Sequence, residues 1–545
     1  MASRILARLR RKRPAVHVET LLACTALFML AAGNGPFWHA LLAGRPAEPG
    51  TWLFAAAVFL SLSCIYFALA AFFVNRWTVR PVLAVLLLVT AASHYFMERY
   101  AVYLDRAMLR NILATDPREA GELLSWALAG HLLLLGGLPA ALLWWPTLRH
   151  RPVLRAAAVR TGWILGALVL GTASLLLVFA DFAATMRNHR EMRWLITPGN
   201  VVVSLVGHFG SRAPRAGQPR LAVAPDAKPG PAPARPLFVV MVVGETARAQ
   251  NFSLNGYPRD TNPELARRGV VDFPQATACG TSTEVSLPCM FSPWGRRHYD
   301  EDAILSHESV LNVLARTGVH VLWRDNQSGC KGVCEGLPQE ATSRLDLPGV
   351  CRDGQCLDEA LLHGLDAMAR DASGNTLVVL HMLGNHGPAY FKRYPPAFRR
   401  FTPACETEDL RRCDPAQILN AYDNAILYTD SVLGRLVDLL QAASATHDSA
   451  MLYVSDHGES LGENGLYLHG LPWAIAPDTQ THVPFIFWAS QHFAAGRRLD
   501  MDCLRARARQ PVSHDNLFHS LLGLFDVKTR AYEPGLDIFG GCRRG

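Results

Sequence analysis

Leu237-Phe238-Val239-Val240-Met241-Val242-Val243, closed by Gly244-Glu245-Thr246, is an unbroken apolar run that stops on a glycine and a carboxylate. A run of this length, rich in β-branched residues, predicts a strand buried on both faces, and such strands belong to parallel sheets. The texture recurs at Val319–Trp323, Leu377–His381, Met451–Val454 and Pro484–Trp488, with helical patterns between the runs. The alternation predicts an α/β domain over 237–545, with a largely parallel sheet and helices on both faces. Ligands of such sheets sit beyond the carboxyl ends of the strands, so the residues that follow each run carry the chemistry.

Outward from this domain, toward the N-terminus, the texture changes. The chain has 545 residues, too many for one core, and its 50% apolar content is concentrated in the first third. Crossing a bilayer takes roughly 20 apolar residues. Five stretches qualify: Val18–Ala43, Trp52–Val74, Val82–Met97, Leu123–Trp145 and Thr161–Phe182. The basic leader with Arg4, Arg8, Arg10, Arg11, Lys12 and Arg13 resembles a signal-peptide start, but the apolar stretch after it is too long and lacks a cleavage site. The connections Arg76–Arg80 and Arg149–Arg160 are basic, whereas Gly44–Gly50 is much less so. Positive-inside then places the N-terminus and both basic loops in the cytoplasm, and everything after the fifth span outside. The expected division is a five-span α-helical membrane domain (1–185), an amphipathic segment with a Pro/Ala-rich linker (186–236), and a catalytic domain (237–545). A polar excursion, Glu98–Glu122, separates spans three and four, and Val201–Phe209 is amphipathic.

The net charge of +7 sits largely in the leader and the short loops, where it reports orientation. No basic patch interleaved with aromatics lies outside the membrane region, which argues against nucleic acid as a partner. Of the 12 cysteines, Cys24 and Cys64 fall inside apolar runs. The rest form close pairs, Cys279/Cys289, Cys330/Cys334, Cys351/Cys356 and Cys405/Cys413, with Cys503 and Cys542 left to pair. An even, clustered set outside the cytoplasm favours disulfides, the alternative being a structural zinc site on Cys330/Cys334 and Cys351/Cys356.

Two strand ends carry candidate chemistry. Glu245 ends the first run, and the fourth ends in Ser455-Asp456-His457-Gly458. Two carboxylates and an imidazole make an O/O/N set suited to zinc, and a catalytic zinc keeps one position open. Thr283, in Cys279-Gly280-Thr281-Ser282-Thr283-Glu284-Val285-Ser286-Leu287-Pro288-Cys289, is the candidate nucleophile. A helical pattern beginning there sets its hydroxyl near a positive helix N-terminus, a suitable place to accept a phosphoryl group. His386 in Gly384-Asn385-His386-Gly387-Pro388 and His469 in Leu466-Tyr467-Leu468-His469-Gly470 would bind a second metal, hold a phosphate oxygen or protonate a leaving alkoxide. Singly, each has an ordinary reading: Asp-His as a cap and turn, Glu245 as an N-cap, Thr283 as a turn residue, the histidines as loop residues. Gathered on one edge of one sheet, they favour a site.

These segments, with Val243-Gly244-Glu245-Thr246-Ala247-Arg248, Met290-Phe291-Ser292, Ser328-Gly329-Cys330-Lys331-Gly332-Val333-Cys334, His381-Met382-Leu383 and Glu459-Ser460-Leu461-Gly462-Glu463-Asn464-Gly465, resemble the phosphoethanolamine transferases that decorate lipid A, a family that includes the mobile colistin-resistance enzymes. The resemblance runs end to end and implies a catalytic domain like alkaline phosphatase and the sulfatases. It implies a monomeric, multi-pass protein in the Gram-negative inner membrane with its catalytic domain in the periplasm. It implies that Glu245, Thr283, Asp456 and His457 bind zinc, with Thr283 carrying the phosphoethanolamine intermediate. Lys331, His386 and His469 would contact the phosphoryl group or a second zinc, and Asn111, Thr115 and Glu119 would bind the ethanolamine head group. The donor would be phosphatidylethanolamine, diacylglycerol would leave, and lipid A would accept the group, giving resistance to cationic peptides such as polymyxin. Alternatives are another acceptor (a lipopolysaccharide core sugar or periplasmic glucan) or a phosphomonoesterase or sulfatase-type hydrolase. One departure stands out: Asn326-Gln327 replaces the family's Asn-Asn, so a longer side chain, Gln327, must fit the substrate contact.

Overall fold

A computed structural model of the chain describes residues 13–115, 117–210, 219–352 and 354–543, with the side chains at 114 and 117–119 left aside. The chain forms two compact units, one of residues up to Leu109 together with Leu124–Phe209, the other of Arg110–Leu123 together with Gly210–Gly545. The expected boundary at 185 therefore falls inside the first unit, and part of the polar excursion groups with the second.

The first unit is helical: α1 (Val18–Ala32), α2 (Gly35–Leu42), α3 (Pro49–Phe73), α4 (Val79–Tyr100), α5 (Trp126–Leu142), α6 (Val153–Leu176) and α7 (Gly199–Phe209). Among the described residues, three helices, α3, α4 and α6, are long and apolar enough to cross a membrane, or four spans if α1 and α2, bent by 59°, count as one. The expected five is thus supported only in part. The first expected span breaks at buried Asn34, whose Nδ2 donates to the Met29 and Thr197 carbonyls. The fourth shrinks to the shorter α5, loosened by a π-helical stretch, Leu132–Gly137. Helices α3 and α6 pack closely because Gly171 carries no Cβ, which would lie 2.9 Å from that of Cys64. The basic stretches gather at one end: Arg151 pairs with Glu19 at 3.0 Å, Arg80 donates to the Pro146 carbonyl, and Ala15–Val16 pairs with Thr147–Leu148.

Helix α7 reverses the usual pattern. Asn200 and Ser204 are buried and hydrogen-bonded to the Trp194 and Leu104 carbonyls, while Val202, Val203, Val206 and Phe209 are exposed. An apolar face turned outward suits a helix lying in a membrane interface.

The second unit is built on a seven-stranded sheet: β1 (Leu237–Gly244), β2 (Val271–Asp272), β3 (His320–Asp325), β4 (Gln339–Ala341), β5 (Thr376–His381), β6 (Asp448–Ser455) and β7 (Phe485–Ala489), in the order β2-β7-β6-β1-β5-β3-β4. Strands β6, β1, β5, β3 and β4 pair in parallel, whereas β7 runs antiparallel to β6 and to β2. The sheet is mixed, its Pro484–Trp488 run forming an antiparallel strand. Alternation on β1 divides the core. Leu237, Val239, Met241 and Val243 pack with Leu287 and Met290 of α8 (Thr283–Met290), and Phe238, Val240 and Val242 pack with α9 (Pro415–Ala443).

Residues from 219 onward are no free linker. Val223 and Ala224 enter the core, and Lys228 bridges to Lys528, so the Pro/Ala-rich composition misleads there. The remainder of the expected linker, 211–218, lies outside the described residues. Disulfides join Cys279–Cys289, Cys330–Cys334, Cys351–Cys356, Cys405–Cys413 and Cys503–Cys542, which removes the cysteine-zinc alternative.

Candidate active site

Strand register makes the site. Val243 stands opposite His381, Gly244 opposite Ser455, and His381 opposite Asp325. The strands therefore end in one row, and the next residues are delivered to a common edge. Asp456 N–H donates to the Gly244 carbonyl, Met382 N–H to that of Val243, and Asn326 N–H to that of His381. Glu245 and Asp456 must stand side by side. The turn after Glu245 is strained: Thr246, a β-branched residue, holds φ +54°, pinned by its N–H to Asp456 Oδ1 and by Ala247 N–H to Ser455 Oγ.

Thr283 is the first residue of α8. Its hydroxyl donates to Glu245 Oε2 at 3.0 Å and lies 3.4 Å from His457 Nε2. That nitrogen lies 3.4 Å from Glu245 Oε1 and 3.4 Å from Asp456 Oδ2. A tetrahedral zinc with bonds of about 2.0–2.1 Å spaces its donors about 3.3–3.5 Å apart. The separations from His457 Nε2 suit such an ion, and Glu245, Asp456 and His457 are placed so that they could hold one. His457 Nδ1 donates to the Gly458 carbonyl at 2.8 Å, which turns Nε2 inward, as metal-binding imidazoles require. Asp456 Oδ2 is buried and makes no hydrogen bond.

Glu245, Asp456 and His457 are fully buried. Burial pushes Asp456 well above the carboxylate range, and the Glu245 charge adds to it. Burial also opposes ionisation of Glu245, but the hydrogen bond and charge of His457 outweigh it and hold Glu245 low. His457 is driven up to about 10, against burial, by Asp456 and Glu245. Two buried carboxylates share one imidazolium, and a cation resolves that imbalance.

The expected neighbours take up several positions. The His457 and His469 rings lie 4.3 Å apart, and those of His386 and His469 5.7 Å. Lys331 Nζ donates to Ser328 Oγ at 2.8 Å and lies 3.8 Å from Glu284. Gln327 donates through Nε2 to Glu245 Oε2 at 3.0 Å, so its extra methylene reaches the site itself. A cavity of about 400 Å³ is lined by Glu122, Gln327, Ser328, Leu383, His386 and Arg393. Thr115 lines a neighbouring cavity with Gln327 and Ser328. Asn111 is half-buried one turn earlier, its carbonyl accepting from the Thr115 hydroxyl. Glu119 belongs to the helix Pro117–Glu122, and its side chain lies outside the described set.

Sequence reasoning missed the supporting shell. Glu459 is buried and faces His469 Nδ1 at 3.2 Å, and it accepts from the Tyr390 hydroxyl. His514 accepts from Cys279 N–H at 3.0 Å through Nδ1 and donates to the Ser455 carbonyl at 2.9 Å through Nε2. Glu122 meets Arg393 at 2.6 Å. Only Glu459, beside the Asp456-His457 pair, had a signal in the chain.

The comparisons fit this geometry. Residues 238–527 match the sulfatase family model, and residues 62–213 match that of the phosphoethanolamine transferases EptA/EptB. Phosphoethanolamine transferase EptA of Escherichia coli K12 is 38% identical, with 98% of each chain covered. Phosphatidylethanolamine transferase Mcr-1 of Escherichia coli is 38% identical over 94% of this chain and 96% of its own. The integral membrane lipooligosaccharide phosphoethanolamine transferase A of Neisseria meningitidis superposes with a TM-score of 0.92 at 34% identity, covering 98% of this chain and all of that one. With a buried threonine hydroxyl among two carboxylates and an imidazole, and with relatives matched over nearly its whole length, the chain belongs to the phosphoethanolamine transferase family.

Proposed function

We propose that this enzyme moves phosphoethanolamine from phosphatidylethanolamine to lipid A at the periplasmic face of the Gram-negative inner membrane, with Thr283 as carrier. The observation that carries the reading is the Thr283 hydroxyl, 3.0 Å from Glu245 and 3.4 Å from His457 at the start of α8. Glu245, Asp456, His457 and Thr283 would hold one zinc, which lowers the pKa of a hydroxyl bound to it and offsets phosphoryl charge. A second zinc beside His386 and His469 would add to that.

The chain's own residues do the rest. Thr283, oriented by the hydrogen bond that Glu245 Oε2 accepts, gives up its proton to solvent as its oxygen bonds to phosphorus. The bond from phosphorus to the glycerol oxygen breaks, and that oxygen leaves with the electron pair and takes a proton as diacylglycerol. His469, oriented by Glu459, is placed to give that proton, while Lys331 and His386 hold phosphoryl oxygens. A lipid A phosphate oxygen, or a hydroxyl oxygen that gives up its proton to solvent, then bonds to phosphorus, the bond from phosphorus to the Thr283 oxygen breaks, and that oxygen leaves with the electron pair and takes a proton back from solvent. Asn111, Thr115 and Glu119 would hold the ethanolamine, and Gln327 would bridge substrate and Glu245. The basic end of the helical unit supports a cytoplasmic N-terminus. The added ammonium masks lipid A charge, which weakens binding of cationic peptides such as polymyxin.

The sulfatase model match favours a second reading, a hydrolase releasing its product to water. Mass spectrometry of the purified protein after incubation with phosphatidylethanolamine separates the two. A phosphoethanolamine adduct on the Thr283 peptide, absent from Thr283→Ala and discharged by lipid A, is the expected result. An adduct discharged only by water would favour the hydrolase, and no adduct with no diacylglycerol would remove Thr283 as carrier.

A further inference from the structure

A second group of metal-ligating side chains lies in the helical unit, independent of the site above. His94 and Glu98 stand one turn apart near the end of α4, and His131 lies in the first part of α5. His94 Nδ1 is 3.2 Å from His131 Nε2 and 3.5 Å from Glu98 Oε2. One donor atom from each of the three falls within 4.8 Å of the others. Donors around a tetrahedral zinc stand about 3.3–3.5 Å apart, so two of the separations already suit one ion.

The surroundings fix the rings. The His94 and His131 rings stack at 17°, and the Tyr95 ring meets His131 edge-on at 5.4 Å. The Tyr95 hydroxyl pairs with Ser125 Oγ at 3.1 Å, and the same oxygen caps α5 by accepting from Leu128 N–H. Gly35 leaves room beside the other His94 nitrogen: a Cβ there would lie 3.0 Å from Nε2. His94 is buried, whereas the Glu98 side chain is 60% exposed, which gives an ion a path in and leaves coordination positions for water.

We propose that His94, Glu98 and His131 form a second divalent-metal site that clasps the end of α4 to the start of α5. Two imidazoles and one carboxylate select borderline ions, zinc, cobalt or nickel, over magnesium and calcium. Binding requires each imidazole to carry its proton on the nitrogen turned away from the ion. The two helices are those from which the excursion through Asn111, Thr115 and Glu119 is strung. The clasp therefore fixes both ends of that excursion.

The test is zinc content, by plasma mass spectrometry, of the full-length protein purified in detergent, freed of its affinity tag, loaded with zinc and desalted. The controls are Asp456→Ala, His131→Ala and Glu98→Gln, the last an exposed, near-isosteric change that spares folding. Glu98→Gln and His131→Ala are each expected to hold about one ion fewer than the unchanged protein, and Asp456→Ala/Glu98→Gln fewer than either single variant. Wild-type zinc content in Glu98→Gln and His131→Ala, or a zinc-free Asp456→Ala, would overturn the clasp. Equal zinc content in Asp456→Ala and wild type would instead count against the Glu245–Asp456–His457 site and leave the clasp standing.

Discussion

His514 ties the Cys279–Cys289 loop to the Asp456 strand, and its removal has a calculable cost. Cys279, whose N–H it accepts, opens the disulfide-closed loop that carries Thr283, and Ser455, whose carbonyl it bonds, precedes Asp456. Both backbone groups are buried, so His514→Ala leaves a donor and an acceptor unpaired at about 1–3 kcal/mol each, about 2–6 kcal/mol in all. His514→Gln can keep the donor to Ser455 and should lose about half of that. The pH dependence is sharper. Burial, with the His457 charge adding to it, pushes His514 down to about 4. Between pH 6.5 and pH 4 the unfolded imidazole binds a proton and the folded one does not. The stability held by the neutral ring is complete above pH 6.5 and lost as pH falls toward 4, by about 3 kcal/mol at pH 4. Urea titrations of the full-length protein, followed by tryptophan fluorescence at pH 7 and pH 4, should show wild type losing about 3 kcal/mol more than His514→Gln. Metal loss at low pH affects both proteins and cancels in the comparison. An equal loss would refute the neutral-pin assignment.

Other consequences follow from the same geometry. Glu459→Gln removes the charge that orients His469, and the initial transfer rate should fall about tenfold to a hundredfold with zinc content unchanged. Opening the Cys279–Cys289 bridge, whose cysteines are 10 residues apart, by a paired change to alanine should cost about 3 kcal/mol, read as a lower unfolding temperature. Val206→Glu places a carboxylate on the exposed apolar face of α7 and should slow transfer from vesicle-borne phosphatidylethanolamine by about tenfold, with a water-soluble donor analogue unaffected. Chelation leaves Glu245 and Asp456 sharing the His457 imidazolium. Burial and the Glu245 charge raise Asp456, so its protonated form stabilises the fold and that contribution fades as pH rises. The chelated protein should therefore lose stability from pH 5 to pH 8 relative to the zinc-loaded one, by calorimetry.

What the sequence made legible follows from burial. Leu237–Val243 reads as a central strand because both of its faces are covered, and the glycine and carboxylate after it mark the sheet edge. Strand direction is not written in an apolar run, so Pro484–Trp488 gave no sign that β7 is antiparallel. The edge pairs Val271–Asp272 and Gln339–Ala341 are too short to leave a period. In the helical unit, composition marks apolar length but not where a buried asparagine such as Asn34 bends it. His514, far along the chain in an ordinary polar context, acquires its role only when the fold sets it between Cys279 and Ser455.

Motif comparison marks Gln327 as a departure at a substrate contact and leaves its accommodation open. In the fold, Gln327 sits just past the end of β3, whose last residue, Asp325, is paired with His381 at 2.7 Å and accepts from the Gln327 N–H. That anchoring fixes the backbone, so the extra methylene is spent on reach, and the amide donates to Glu245 Oε2, the same oxygen that accepts from Thr283. A carboxylate oxygen has lone pairs for both hydrogen bonds. Gln327 and Thr283 therefore share one oxygen of Glu245, and shortening Gln327 to asparagine should leave that oxygen to Thr283 alone.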